Sequence, residues 1–122
     1  MAAVGTRDTG AERAVRSVVH RLGYRYSLRR TDLPGKPDLV FVSRQKVIFV
    51  HGCFWHGHLC RNGRLPKSRL DYWRPKIAAN KARDRLQVAQ LRREGWSVLT
   101  VWQCQLKNER FLDARIKGFL DE

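Results

Sequence analysis

The sequence predicts an α/β domain with a mixed sheet covered by helices on both sides. Two apolar runs, LVFV at 39–42 and VIFV at 47–50, are separated only by the polar SRQK, which reads as a hairpin. WSVLTVW at 96–102 is the most strand-like run in the chain. These strands are interleaved with three segments of helical periodicity. At 122 residues and 43% apolar composition the chain supplies one core and little for a second, so a single domain over 1–122 is expected.

The elements follow in order. TGAE at 9–12 matches a capping box, in which Thr9 accepts from a first-turn amide and Glu12 reaches back to the cap. A helix from about Gly10 to Leu22 then puts Ala11, Ala14, Val15, Val18 and Leu22 on its inner face, and Gly23 ends it. Tyr24 to Leu28 alternates as a strand would, whereas TDLPGKPD is dense in turn formers and reads as loop. After the hairpin and the basic loop RNGRLPKSRL, a long helix is expected from about Asp71 to Glu94, with Pro75 tolerable only near its start. Gly95 stops it before the 96–102 strand. A last helix around 108–120 carries Phe111, Leu112, Ile116 and Phe119 on one face.

Charge narrows the class of partner. Twenty-five Lys and Arg against 11 Asp and Glu give a net +14, spread along the whole chain. Such a surface favours a polyanion, nucleic acid first, with a ribosome-associated domain or a partner of an acidic protein as alternatives. No apolar run approaches the ~20 residues that span a bilayer, and the N-terminus lacks the order of a signal peptide, so an intracellular protein is expected. In a reducing compartment the three cysteines are better explained as thiolate ligands than as disulfide partners.

The densest chemistry lies in VHGCFWHGHLC, residues 50–60. Cys53, His58 and Cys60 fall within eight residues, and Cys104 follows the last strand. Together they form a closed four-ligand set of the kind that structural zinc uses, although the spacing is not a common finger pattern. The competing reading is that Cys104 is a small buried residue and the others are incidental. Assigning zinc leaves His51 and His56 over.

Three carboxylates stand in unusual places. Asp38 ends the turn PGKPD directly before an apolar strand, with a second strand hairpinned beside it. That layout suits a nuclease metal site, and it suits an ordinary turn aspartate equally well. Asp84 shares the inner stripe of the long helix with Ile77, Val88 and Leu91, where an apolar residue is expected. A carboxylate there is costly unless paired, so a histidine or arginine partner is predicted, for a structural salt bridge or for function. Glu12 is already explained by the capping box.

Phe54 and Trp55 are adjacent, so a strand could bury only one of them in a given face. Trp73 opens the long helix in an equally basic setting. Exposed aromatics beside Arg and Lys suit wedging between bases, although core burial is the commoner fate of a tryptophan, and Trp96 and Trp102 are assigned to the core. Lys76 and Asn80 share a helix face near Trp73 and could read base edges; solvated polar positions would look the same.

Taken together, TRDT at 6–9, LPGKPD at 33–38, HGCFWHGHLC at 51–60, K-x-x-x-N at 76–80, RDR at 83–85, GW-x-VL-x-VW at 95–102 and Cys104 resemble the very short patch repair endonucleases. The match runs in order over nearly the whole chain. The resemblance implies a restriction-endonuclease-like core and Mg²⁺-dependent nicking of duplex DNA 5′ to the thymine of a T:G mismatch, the product of 5-methylcytosine deamination. It implies that Asp38 and the main-chain oxygen of Val50 bind the metal, and that His56 acts as general base held by Glu12. His51 and Asp84 match a second histidine–carboxylate pair, and Cys53, His58, Cys60 and Cys104 match the zinc ligands. Phe54, Trp55 and Trp73 match an aromatic wedge, and Lys76 and Asn80 match base-contacting residues. A bacterial cytoplasmic protein is implied, acting as a monomer at the nucleoid, with repair proteins as further partners. Gly57 and Leu59 stand where some relatives have further histidines. Only Met1 to Gly5 precede TRDT, which predicts reduced affinity or mismatch selectivity. Two alternatives remain: a nuclease of the same fold without mismatch selectivity, and a zinc-stapled DNA-binding module without catalysis.

Overall fold

The computed structural model describes residues 10–28, 32–52 and 69–122. Among them four strands form one mixed sheet in the order β1-β2-β3-β4. The strands β1 (Ser27–Leu28), β2 (Leu39–Phe41) and β3 (Lys46–His51) pair antiparallel in succession. The fourth, β4 (Ser97–Trp102), lies parallel to β3, reached through the helix α2 (Leu70–Arg93). The mixed α/β expectation is met. The strand expected over 24–28 contracts to Ser27–Leu28.

Helix α1 (Gly10–Leu22) has the expected bounds. Gly23 ends it at φ +85°, the left-handed conformation a residue without Cβ adopts at least cost, and the Tyr24 N–H donates back to the Val19 carbonyl. Between β2 and β3 the chain turns through a short 3-10 segment, Val42–Arg44, and a left-handed Gln45.

Pleating sorts the side chains to two faces. On one, Leu39, Phe41, Ile48, Leu99 and Val101 pack with Val15, Val18 and Val19 of α1 and with Leu112, Ile116 and Leu120 of α3 (Glu109–Asp121). On the other, Val40, Val47 and Phe49 pack with Leu91, and Val88, Trp96 and Val98 cover them. Burial on both faces explains why β2 and β3 read as unbroken apolar runs. The inner face expected for α3 needs one correction: Phe111 is exposed, and Leu120 takes the core position. On a 3.6-residue period Leu120 follows Leu112 and Ile116 by steps of four, which turns Phe111 outward.

Beneath α3 lies a buried cation. Lys46 is only 6% exposed, and its Nζ donates to the main-chain oxygens of Phe119 and Glu122. Arg44 donates to the Leu120 oxygen at 2.9 Å. Both charges meet the carbonyl end of a helix, where unsatisfied acceptors and the negative end of the dipole stabilise them. This anchors the start of β3 to α3.

Helix α2 runs through Pro75, which lies in its second turn and so removes only one early hydrogen bond. It buries Ile77 and Leu91, and it ends at Gly95 (φ +94°) with the Trp96 N–H returning to the Leu91 carbonyl at 3.0 Å.

Candidate catalytic site

The site lies where β3 and β4 end together. Asp38 precedes β2, and its N–H donates to the Ile48 carbonyl at 3.1 Å. Its Oδ2 accepts from the Val50 N–H at 2.6 Å, a charge-assisted bond. Within an extended strand a residue's N–H and C=O face the same neighbour, so the Val50 carbonyl leaves the edge on which Asp38 stands. Carboxylate and main-chain oxygen are both hard donors, and this pair fits Mg²⁺.

The turn before Asp38 is held tightly. Gly35 and Lys36 both have left-handed φ, +75° and +51°, and the Lys36 N–H donates to the Leu33 carbonyl at 3.1 Å. A Cβ on Gly35 would lie 2.9 Å from Gln87 Oε1, which could swing aside, and 3.0 Å from Cζ of the buried Phe49, so together with a φ of +75° the turn favours glycine there.

His51 closes β3. It is 9% exposed with Nδ1 shut off from solvent, and its ring lies 5.4 Å from Phe49 and 5.3 Å, edge-on, from Trp102. Strand register explains the second contact, because His51 pairs with Trp102 across the parallel ladder. Asp84 projects from α2 into the same place: His51, Asp84, Thr100 and Trp102 line one cavity of about 430 Å³, with Lys81, Arg85 and Arg92 along its α2 wall. The two members of the expected His51–Asp84 pair are thus brought to one cavity, and the inward aspartate on the helical stripe has its explanation there.

Trp102 is a correction. The sequence reading placed it in the core, whereas it is half-buried and forms a cavity wall beside His51. Positions 98, 100 and 102 of β4 share a face, but α2 covers only the first part of it, so the last residue stays partly open. No local signal could have placed it there, because the neighbourhood of His51 comes from the parallel pairing of β3 with β4. Trp96, also assigned to the core, packs half-buried against the second cluster.

Glu12 is 7% exposed in the first turn of α1, across the sheet from α2, and it does not line the cavity. Its expected partner His56 lies outside the described residues, as do Thr9, Cys53, Phe54, Trp55, His58 and Cys60. Cys104 is half-buried in the 3-10 segment Gln103–Lys107 directly after β4. Among the described residues no group of three His, Cys, Asp or Glu side chains could hold a metal. Trp73 and Asn80 are half-buried and Lys76 exposed on the N-terminal half of α2, where Tyr72, which the sequence reading passed over, is also exposed.

The sequence profile described as "DNA mismatch endonuclease Vsr" matches residues 1–62, half of the chain. The chain belongs to the Vsr family. A DNA mismatch endonuclease Vsr of Escherichia coli (strain K12) is 39% identical over 123 residues, covering 100% of this chain and 79% of that protein. A "Type II nicking enzyme V.XorIIP" of Xanthomonas oryzae pv. oryzae is 59% identical over 121 residues, 99% of this chain and 89% of the relative. Among solved structures, the catalytic domain of the homing endonuclease I-Bth0305I superposes with a TM-score of 0.64 at 16% identity, covering 92% of this chain and 94% of that domain. That likeness concerns the fold: the domain shares this chain's arrangement of sheet and helices.

Proposed function

We propose that this Vsr-family chain nicks duplex DNA on the 5′ side of the thymine in a T:G mismatch by Mg²⁺-dependent hydrolysis, on a restriction-endonuclease-like core. The observation that carries the reading is its 39% identity, across its whole length, to a protein named as a DNA mismatch endonuclease. The net charge of +14 supports a DNA partner.

Asp38 and the Val50 carbonyl hold the metal, and the 2.6 Å bond from the Val50 N–H fixes the carboxylate against that strand. Mg²⁺ supplies neutralisation of the charge that builds on the phosphate during attack. His56 takes the proton from the attacking water, with Glu12 setting its tautomer; an imidazole can do this because it titrates near neutrality. His51 and Asp84 form the second histidine–carboxylate pair, in keeping with their shared cavity.

Cys53, His58, Cys60 and Cys104 hold a structural zinc. The chain leaves β3 at Gly52, where a Cβ would stand 3.9 Å from the side chain of Gln103, next to Cys104. The zinc staple fixes the loop relative to the catalytic strand end. Phe54, Trp55 and Trp73 wedge into the stack, which costs less at a poorly stacked mismatch than in intact duplex, and Lys76 and Asn80 contact base edges.

The test is a nicking assay on duplexes end-labelled in the thymine strand, with T:G or T:A at one position. A Mg²⁺-dependent product ending immediately 5′ to the mismatched thymine, absent with Asp38→Ala, is expected. Cutting of both duplexes alike would instead indicate a nuclease without mismatch selectivity, and no metal-dependent cutting of either would indicate a binding module.

A further inference from the structure

Tyr72, to which the reading above gives no role, sits at the centre of a small ordered cluster on the first turn of α2. It is 44% exposed, and its ring meets Trp73 edge-on at 4.8 Å and 82°. The Arg69 guanidinium lies 5.0 Å from the ring centroid and the Lys76 ammonium 5.3 Å. Arg69 adopts a left-handed φ of +58°, unusual for a residue with a side chain, and from there its carbonyl accepts from the N–H groups of both Tyr72 and Trp73 at 3.0 and 3.1 Å. One phenol ring therefore organises two cations and a tryptophan.

We propose that Tyr72 is a positioning residue for mismatch recognition: its ring holds Trp73 and Lys76 in the geometry in which they meet DNA. The inference rests on the reading that Trp73 and Lys76 form part of the DNA surface. Without a central ring, the indole and the ammonium would each rotate over several rotamers, and binding would have to order them. A residue that only stabilised the helix would alter melting temperature and leave the ratio of mismatched to paired binding unchanged. Positioning predicts a larger effect at the mismatch, where insertion of the tryptophan is repaid.

Phenylalanine keeps the ring face and edge, and leucine removes both. Tyr72→Phe is expected to bind T:G duplex within about twofold of the parent, because the cation and edge contacts persist. Tyr72→Leu is expected to bind it about tenfold more weakly, equivalent to about 1.4 kcal/mol, with a smaller loss on T:A duplex. Fluorescence anisotropy with labelled duplexes reads these affinities, and melting curves confirm that both variants fold.

A measurement on the DNA-free protein separates the positioning claim from the reading beneath it. The NMR order parameter of the Trp73 indole N–H, assigned through Trp73→Phe, is expected to fall in Tyr72→Leu and to stay at the parent value in Tyr72→Phe. An unchanged order parameter in Tyr72→Leu would overturn the proposal, as would parent-like affinities or equal losses on T:G and T:A. If Trp73→Ala bound T:G duplex as tightly as the parent, the reading that this surface meets DNA would fail, and the recognition role of Tyr72 with it.

Discussion

Replacing Asp38 by asparagine removes a charge while keeping an oxygen where Oδ2 accepts from the Val50 N–H at 2.6 Å. A hydrogen bond to an ionised group contributes about 1.5–3 kcal/mol and a neutral one about 0.5–1.5 kcal/mol, so the exchange is expected to cost about 1–1.5 kcal/mol. For a chain of 122 residues that corresponds to a fall in Tm of about 4–6 °C. Thermal unfolding followed by circular dichroism in Mg²⁺-free buffer, with no chelator so that any bound zinc is retained, reads this loss without a contribution from Mg²⁺. The same variant, assayed on T:G duplex in Mg²⁺ below its melting range, is expected to lose nicking, because the asparagine keeps an oxygen but removes the negative charge that Asp38 would offer the dication. The two readouts test different links of the argument. An asparagine variant that melts with the parent would show that the Asp38–Val50 bond contributes nothing, and one that still nicks would remove Asp38 from the catalytic site.

Three further substitutions probe the surroundings. Gly35→Ala forces a Cβ to within 2.9 Å of Gln87 at a φ of +75°; a stability loss of about 1–2 kcal/mol is expected in urea unfolding, with kcat falling more than KM rises because the turn carries Asp38. Lys46→Met strips the buried donor from the end of α3 and is expected to cost about 1–3 kcal/mol, while the nicking rate of the folded fraction in a single-turnover assay stays unchanged. Cys104→Ser is expected to reduce bound zinc, measured by plasma mass spectrometry, from about one ion per chain to a small fraction, with a lowered Tm.

The strands and helices were legible because their signals are local. Gly23 and Gly95 marked helix ends by the conformation only glycine adopts readily, and the polar SRQK between two apolar runs gave the hairpin. Phe111 was misassigned because four apolar residues over nine positions of α3 are compatible with two overlapping faces, and only packing against α1 selects the one through Leu120. Tyr24 to Tyr26 alternate as a strand would, yet only Ser27 and Leu28 pair with β2, opposite Val40 and Leu39, and Tyr26 meets Phe41 through its ring at 6.2 Å instead. In the site, Asp84 could be singled out as a carboxylate on an inner stripe, yet no local pattern could show that His51 meets it at one cavity. That required the parallel pairing of β3 with β4, a contact between residues 46–51 and 97–102. The cations Lys81 and Arg92 along the same wall were invisible for a related reason, and Arg85 stood out only as part of the RDR motif: in a chain this basic, single charges carry no signal until the fold places them.

The central claim is that this fold cuts at a mismatch. Single-turnover nicking by the unmodified chain, on T:G and T:A duplexes of identical sequence in Mg²⁺, tests it most directly. A rate on T:G exceeding that on T:A by at least about tenfold, abolished by EDTA, is predicted, the factor corresponding to about 1.4 kcal/mol of differential transition-state stabilisation. Equal rates on the two duplexes, or cutting that persists in EDTA, would contradict the account.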